Sequence, residues 1–99
     1  MSYSILIEDR ARKYLKKLTL PERRRLARLI DSLASDPRPA ACEAIETGKK
    51  NPTLYRIRSG RHRIVYLIKD DQLLVLVVRI ANRRDVYREL IELARRYRP

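Results

Sequence analysis

Three strand-length runs follow one another with almost no chain between them, and this constrains the fold more than any other feature of the 99-residue sequence. Leu54 to Arg58, Arg61 to Ile68 and Leu73 to Ile80 are rich in β-branched and aromatic residues, and Ser59-Gly60 and Asp70-Asp71-Gln72 between them are turn-type clusters. Connections this short join only antiparallel neighbours, so the runs predict a meander. The first run sets Tyr55 and Ile57 on one side and Arg56 and Arg58 on the other, whereas the last is nearly all aliphatic and suits a strand covered on both faces.

Upstream the apolar period changes. Tyr3 to Ile7 reads as a first strand, and Ala11, Tyr14, Leu15 and Leu18 then recur at i, i+3, i+4 and i+7, one face of a short helix. Thr19 and Glu22 stand at capping-box spacing with Pro21 in the first turn, so a second helix starts there. Its stripe is Leu26, Leu29, Ile30, Leu33 and Ala34, and Asp36-Pro37-Arg38-Pro39 ends it, since proline disfavours helix in the residue before it. Pro39 to Thr53 has no clear period and holds Gly48 and Pro52, which predicts mostly loop with a brief turn of strand or helix near Ala44. Asn82 is placed to cap a terminal helix with Asp85 three residues on, and Val86, Leu90, Leu93, Ala94 and Tyr97 form its stripe. The expected architecture is a single α+β domain over residues 1–99 in the order β-α-α-β-β-β-α: an antiparallel sheet, an N-terminal helical hairpin packed on one face, and a C-terminal helix.

Charge points to the partner. Lys and Arg number 24 against 12 Asp and Glu, a formal net charge of +12. The hydrophobic fraction of 44% with clear periodicity separates this chain from a disordered basic tail. Between Thr47 and Lys69 no acidic residue occurs, yet Lys49, Lys50, Arg56, Arg58, Arg61, Arg63 and Lys69 do. Crowding cations is electrostatically costly, and an anionic partner relieves the repulsion. Cys42 is the only cysteine, which rules out an intrachain disulfide and a cysteine metal cluster and suits a reducing compartment. The start is not basic then apolar like a signal peptide, and the run Leu73 to Val78 is far too short to cross a bilayer, so a cytoplasmic location without membrane contact is expected.

Plausible strand pairing gathers Arg56, Arg58 and Arg63 near one end of the sheet with Arg83 and Arg84, and Tyr87 lies within one helical turn of Arg83. Guanidinium groups bind phosphate bidentately and stay charged, as a site that stabilises charge developing on phosphate requires. One such arginine alone is ordinary surface decoration; the clustering without a carboxylate argues for more. Tyr87 alone reads as a packing residue at a helix start. His62, the only histidine, is a proton carrier or a surface turn residue, and its being alone excludes paired acid and base imidazoles. Arg23, Arg24, Arg25 and Arg28 make a solvated helix face or a second RNA contact. Ser, Asp and Glu form no triad or metal constellation, so no cofactor and no metal is expected, and metal-dependent hydrolysis is disfavoured.

The string Leu-Tyr-Arg-Ile-Arg-Ser-Gly-Arg-His-Arg-Ile-Val-Tyr from Leu54, followed by Val-Val-Arg-Ile-Ala-Asn-Arg-Arg-Asp-Val-Tyr-Arg-Glu-Leu to Leu90, resembles the RelE branch of the RelE/ParE toxin superfamily. Element order agrees over nearly the whole chain, and Ala40 to Pro52 matches poorly. Arg83 with Asp85-Val86-Tyr87 tilts the resemblance toward RelE rather than ParE. It implies a small ribonuclease toxin that enters the ribosomal A site and cleaves mRNA without metal, with a cognate antitoxin as partner, expected to be acidic. It further implies phosphate binding for Arg56, Arg58 and Arg63, transition-state or leaving-group stabilisation for Arg83, and orientation or activation of the 2′-hydroxyl for Tyr87. Where relatives carry a lysine able to act as base, Arg58 stays protonated, so the base role falls on Tyr87 or on His62. The expected RNA-binding surface is Arg56, Arg58, Arg61, Arg63, His62, Arg84, Lys49 and Lys50. Two other classes compete: a ParE-like DNA gyrase inhibitor that cuts no RNA, and a non-catalytic basic RNA-binding module.

Overall fold

The computed structural model describes residues 2–99. Strand β1 (Ser4–Ile7) leads into helices α1 (Asp9–Lys16) and α2 (Leu20–Ser32); a short strand β2 (Glu43–Ile45) precedes β3 (Leu54–Ser59), β4 (His62–Lys69) and β5 (Leu74–Ala81), and α3 (Tyr87–Arg95) follows. The five strands lie in the order β1-β5-β4-β3-β2. The meander β3-β4-β5 is antiparallel as its short turns require, and β1 joins β5 in parallel, its chain crossing back through the helical hairpin. In the segment without clear period, Glu43 to Ile45 add an antiparallel edge strand to β3.

Two cores result, one on each sheet face. The hairpin supplies Ala11, Leu15, Leu26, Ile30 and Leu33 against Ile57, Ile64, Tyr66, Val75, Val77 and Ile80. On the other face, Leu90 and Ala94 of α3 pack on Leu54, Val65, Leu67, Leu76 and Val78. The central strands are therefore covered on both sides, as the aliphatic run of β5 predicts. Thr19 caps α2, its hydroxyl accepting from the Glu22 backbone N–H at 3.4 Å. Arg23 folds back to donate to the carbonyls of Leu15, Lys16 and Leu18, tying the start of α2 to the end of α1. Gly60, at φ +59°, fills the first central position of the two-residue β3-β4 turn, where a side chain is strained.

Two departures bear on function. The terminal helix begins at Tyr87 rather than near Asn82, and Val86, expected in its apolar stripe, is exposed. Asp85 does not serve the helix start, because its side chain is drawn into the sheet face. The second departure is a bulge: Val65 pairs with Arg79 but Tyr66 with Val77, leaving Val78 as an extra residue. Strict alternation would aim Arg79 at the hairpin core with Val75 and Val77; the bulge turns it to the α3 face beside Val78.

At the far end of the sheet, Arg38 donates twice to Asp70, at 2.8 and 3.2 Å, and once to the Tyr55 hydroxyl, while Tyr3 donates to Asp70 at 2.6 Å. These bonds hold the Asp70 carboxyl at about 2, below its ordinary value. Glu89 on α3 is likewise held at about 2, chiefly by Arg83. A carboxylate depressed in the folded state stabilises fully above its unfolded pKa, and that contribution disappears as pH falls through the folded value. Thermal unfolding should thus be flat above roughly pH 5 and fall toward pH 2, with Asp70→Asn removing part of the slope. An unchanged slope in Asp70→Asn would show that Arg38 gives Asp70 no net stabilisation.

Candidate functional site

Strand register places the predicted arginines. Arg58 lies directly opposite Arg63, and Arg56 lies opposite Val65, which in turn faces Arg79. Alternation from Leu54, buried under α3, puts Arg56 and Arg58 on the α3 face, as it does Arg63 from Val65 and Leu67. Arg83 and Arg84 follow β5 in the irregular segment before α3, both exposed.

This face is not free of carboxylates, contrary to the sequence expectation. The acid-free stretch meets Glu43 from β2, Asp85 from the segment before α3 and Glu89 from α3. Arg56, expected to bind phosphate, is instead paired with Glu43 at 3.0 Å and with Asp85 at 3.5 Å, and only 19% of its side chain is exposed. Arg79 meets Asp85 at 3.4 Å and Glu89 at 3.3 Å. Arg83 donates to both Glu89 oxygens, at 3.0 and 2.7 Å, and this raises its pKa further. The network is therefore Glu43, Arg56, Asp85, Arg79, Glu89 and Arg83, three cations alternating with three anions.

Arg58 and Arg63 stand outside it. Arg58 is exposed and Arg63 half-buried, and among the described residues neither forms an ion pair. Like charges directly across a strand pair are destabilising, so this pair keeps the uncompensated positive potential that Arg56 has lost. Arg83 borders a groove of about 680 Å³ between α1, the end of β5 and α3. Tyr87 is exposed, and its hydroxyl donates to the Glu46 carbonyl at 2.9 Å, tying the start of α3 to the loop in which Lys49 and Lys50 are exposed.

His62 leaves the candidate surface. It is 5% exposed and faces the hairpin, with Nε2 at 2.8 Å from Glu22 and Nδ1 at 2.9 Å from the Tyr14 hydroxyl. A carboxylate only accepts, so Nε2 carries a proton, and in the neutral ring Nδ1 accepts from Tyr14. Both nitrogens are engaged, and the position alternates away from Arg63. The bond to His62 also lowers the Glu22 pKa. Arg61 lies 3.7 Å from Glu22, so its guanidinium belongs to the hairpin side too. His62→Ala should cost about 1–3 kcal/mol of stability, the penalty for stranding hydrogen-bonded buried groups, with no loss of RNA affinity. Urea unfolding and an RNA titration together check this; a large loss of affinity in folded His62→Ala protein would return His62 to the site.

Sequence reasoning missed Arg79, Asp85 and Glu89. An arginine inside an aliphatic strand was the available signal for Arg79, because burying a guanidinium demands a carboxylate partner. Among the described residues no three His, Cys, Asp or Glu side chains converge as metal ligands, and no helix is long and apolar enough to cross a membrane.

A mixed sheet flanked by a helical hairpin and a terminal helix, with an arginine face where the last strand ends, defines the RelE/ParE class of toxin. The sequence matches the ParE toxin of type II toxin-antitoxin systems over residues 5–87. The chain belongs to that family, within the RelE/ParE superfamily, and is a toxin of this type. Among named relatives, the candidate toxin RelE1 of Methanocaldococcus jannaschii is 27% identical over 88 residues, 89% of this chain and 98% of that protein. The archaeal RelE-RelB complex of Pyrococcus horikoshii contains a chain similar to this one with a TM-score of 0.71 and 25% identity, covering 81% of this chain and 93% of that one. A chain of the intact Escherichia coli RelBE toxin-antitoxin complex gives 0.65 and 26%, covering 85% and 100%.

Proposed function

We propose that this toxin is a metal-independent, ribosome-dependent endoribonuclease that cuts mRNA in the A site. The observation that carries the reading is the Arg58-Arg63 pair, two uncompensated guanidinium groups opposite one another on the sheet face that Arg83 and Tyr87 border. In this reading Arg58 and Arg63 grip the scissile phosphate. The ribose 2′-hydroxyl attacks that phosphorus, a P–O bond forms as the bond to the 5′-oxygen breaks, and a 2′,3′-cyclic phosphate and a 5′-hydroxyl end result. Arg83, freed from Glu89, stabilises the charge on the phosphorane oxygens. The nucleophile belongs to the substrate, so no serine or cysteine is needed, and DNA, lacking the 2′-hydroxyl, survives. With His62 engaged on the hairpin side, the 2′-hydroxyl proton passes to Tyr87, which must leave the Glu46 carbonyl and act as the phenolate, and the departing 5′-oxygen takes a proton from solvent.

A partner follows from charge. The named relatives of known structure are toxins complexed with RelB antitoxins, and an acidic antitoxin would cover Arg58 and Arg63 with carboxylates. Mixing the toxin with an acidic antitoxin encoded beside it should abolish toxicity, and the absence of any complex counts against this partner. The family's ParE name favours a second reading, a gyrase inhibitor that cuts no RNA. Induced expression separates the two: translation arrest with A-site cuts in primer extension supports the nuclease, whereas DNA-damage signalling and filamentation without cuts supports the gyrase inhibitor.

Replacing Arg58 and Arg63 together by alanine should weaken RNA binding about tenfold at moderate salt and flatten the slope of log affinity against log salt by about two contacts' worth. An unaltered slope would remove these residues from the phosphate contacts.

A further inference from the structure

Resting on the nuclease reading, we infer that Asp85 is a positioning residue, its buried carboxylate anchoring the segment 82–86 to the sheet so that Arg83 and Tyr87 are held at the arginine face. The Asp85 side chain is 0% exposed although the residues on either side of it, Arg84 and Val86, are exposed. Such a side chain, turned inward from an exposed irregular segment, fixes the backbone on either side. Its partners are the guanidinium groups of Arg56, at 3.5 Å, and Arg79, at 3.4 Å, one from each of two strands. Neither oxygen has a hydrogen bond among the described residues. The attachment is thus ionic, a carboxylate wedged between two cations that would otherwise repel each other across the sheet.

Position along the chain gives this wedge its consequence. Arg83 is two residues before Asp85 and Tyr87 two residues after it. The segment between strand and helix has no regular backbone hydrogen bonding of its own, so its conformation rests on what its side chains grip. Arg83 is gripped by Glu89, whose side chain is 36% exposed, so that substrate phosphate can reach the pair and compete for the guanidinium. When phosphate displaces Glu89, Asp85 is the attachment that remains. Glu89 yields and Asp85 holds: two carboxylates on one arginine network with opposite tasks. Asp85 does not touch substrate in this arrangement; it acts through the placement of its neighbours.

Two explanations of a defective Asp85→Asn protein need separating. If the carboxylate merely neutralises Arg56 and Arg79, adding Arg79→Met to Asp85→Asn relieves the repulsion and restores stability, amide protection and cleavage together. If it anchors the segment, the double variant regains stability while residues 82–86 stay loose. The experiment uses the full chain, with hydrogen exchange at residues 82–86, ribosome binding, and cleavage of mRNA at saturating programmed ribosomes. For Asp85→Asn and the double variant we expect amide exchange in 82–86 to accelerate about tenfold or more. Maximal cleavage should fall about 10²-fold, the cost of misplacing a reacting group by an ångström or so. Ribosome binding should stay equal to or tighter than that of the parent in Asp85→Asn, which loses an anion, and equal to it in the double variant, which loses one anion and one cation. Wild-type exchange and cleavage in either folded variant overturns the proposal, as does full rescue by Arg79→Met. Should Asp85→Asn fail to fold, the double variant alone decides. If the parent protein cuts no RNA at all, the nuclease reading fails, and exchange at 82–86 still reports on the anchor.

Discussion

Arg83→Ala is expected to lower A-site cleavage by about 10²–10³-fold with only a small fall in melting temperature, the size of effect that follows from removing one group aimed at transition-state charge. The separation of activity from stability comes from the network. Arg83 is 54% exposed, and when it is removed its partner Glu89 keeps Arg79 at 3.3 Å, so no carboxylate is stranded. Arg79→Met strikes the same network from within. It takes one cation from buried Asp85 and one from Glu89, so stability should fall with activity. Primer extension on programmed ribosomes and a thermal melt of each variant check the pair. Arg83→Ala protein that still arrests growth and yields wild-type cuts would remove Arg83 from the chemistry. Arg83→Lys gives an intermediate result under this account, since an ammonium supplies charge without the planar fork.

The elements of the fold were legible wherever local chemistry decides them. Thr19 and Pro21 announce α2, Gly60 the tight hairpin, and the alternation of Tyr55 and Ile57 with Arg56 and Arg58 the two-sided strand; each depends on neighbours within a few residues. The candidate site was legible only in its cations. That Arg58 faces Arg63 follows from a turn at Gly60-Arg61, one residue on from the Ser59-Gly60 read in the sequence, which would have set Arg58 opposite Arg61 and Arg56 opposite Arg63. That Arg56 is neutralised by Glu43 and Asp85 depends on a three-residue edge strand and a segment folding inward, neither of which has a local period. Arg79 was hidden by a single inserted residue, since a bulge flips every later side chain relative to strict alternation. His62 was misplaced by the same parity argument turned around: it neighbours Arg63 in sequence, and neighbours on a strand face opposite sides. Asp85 looked like a helix-start residue because Asn82 and Asp85 have cap spacing, but two partly buried guanidinium groups attract a carboxylate more strongly than a helix terminus does.

Leu90→Ala should open the molecule at one place before it unfolds as a whole. Leu90 is 3% exposed and, with Ala94, forms the fully covered part of α3 on the sheet. A helix of nine residues is not stable alone, so it exists by docking. Truncating a buried leucine costs about 2–5 kcal/mol, a large share of the roughly 5–15 kcal/mol that holds a domain together. For Ile64, fully buried in the central strand β4, the full cost falls on global stability, because β4 pairs with β3 and β5 and none of these can detach separately. For Leu90 the cost is capped by the free energy of releasing α3, after which the meander and hairpin retain their own core. Hydrogen exchange should thus show loss of protection confined to 87–95 in Leu90→Ala but spread over the sheet in Ile64→Ala, with the larger fall in melting temperature in Ile64→Ala. Equal melting shifts with uniform exchange would mean that α3 and the sheet unfold as one unit. Release of α3 withdraws Glu89 from Arg83 and also frees Tyr87, so Leu90→Ala protein should bind RNA at least as well as the parent yet cut it poorly. Binding and cleavage that fell in step would instead show that α3 itself carries part of the RNA contact.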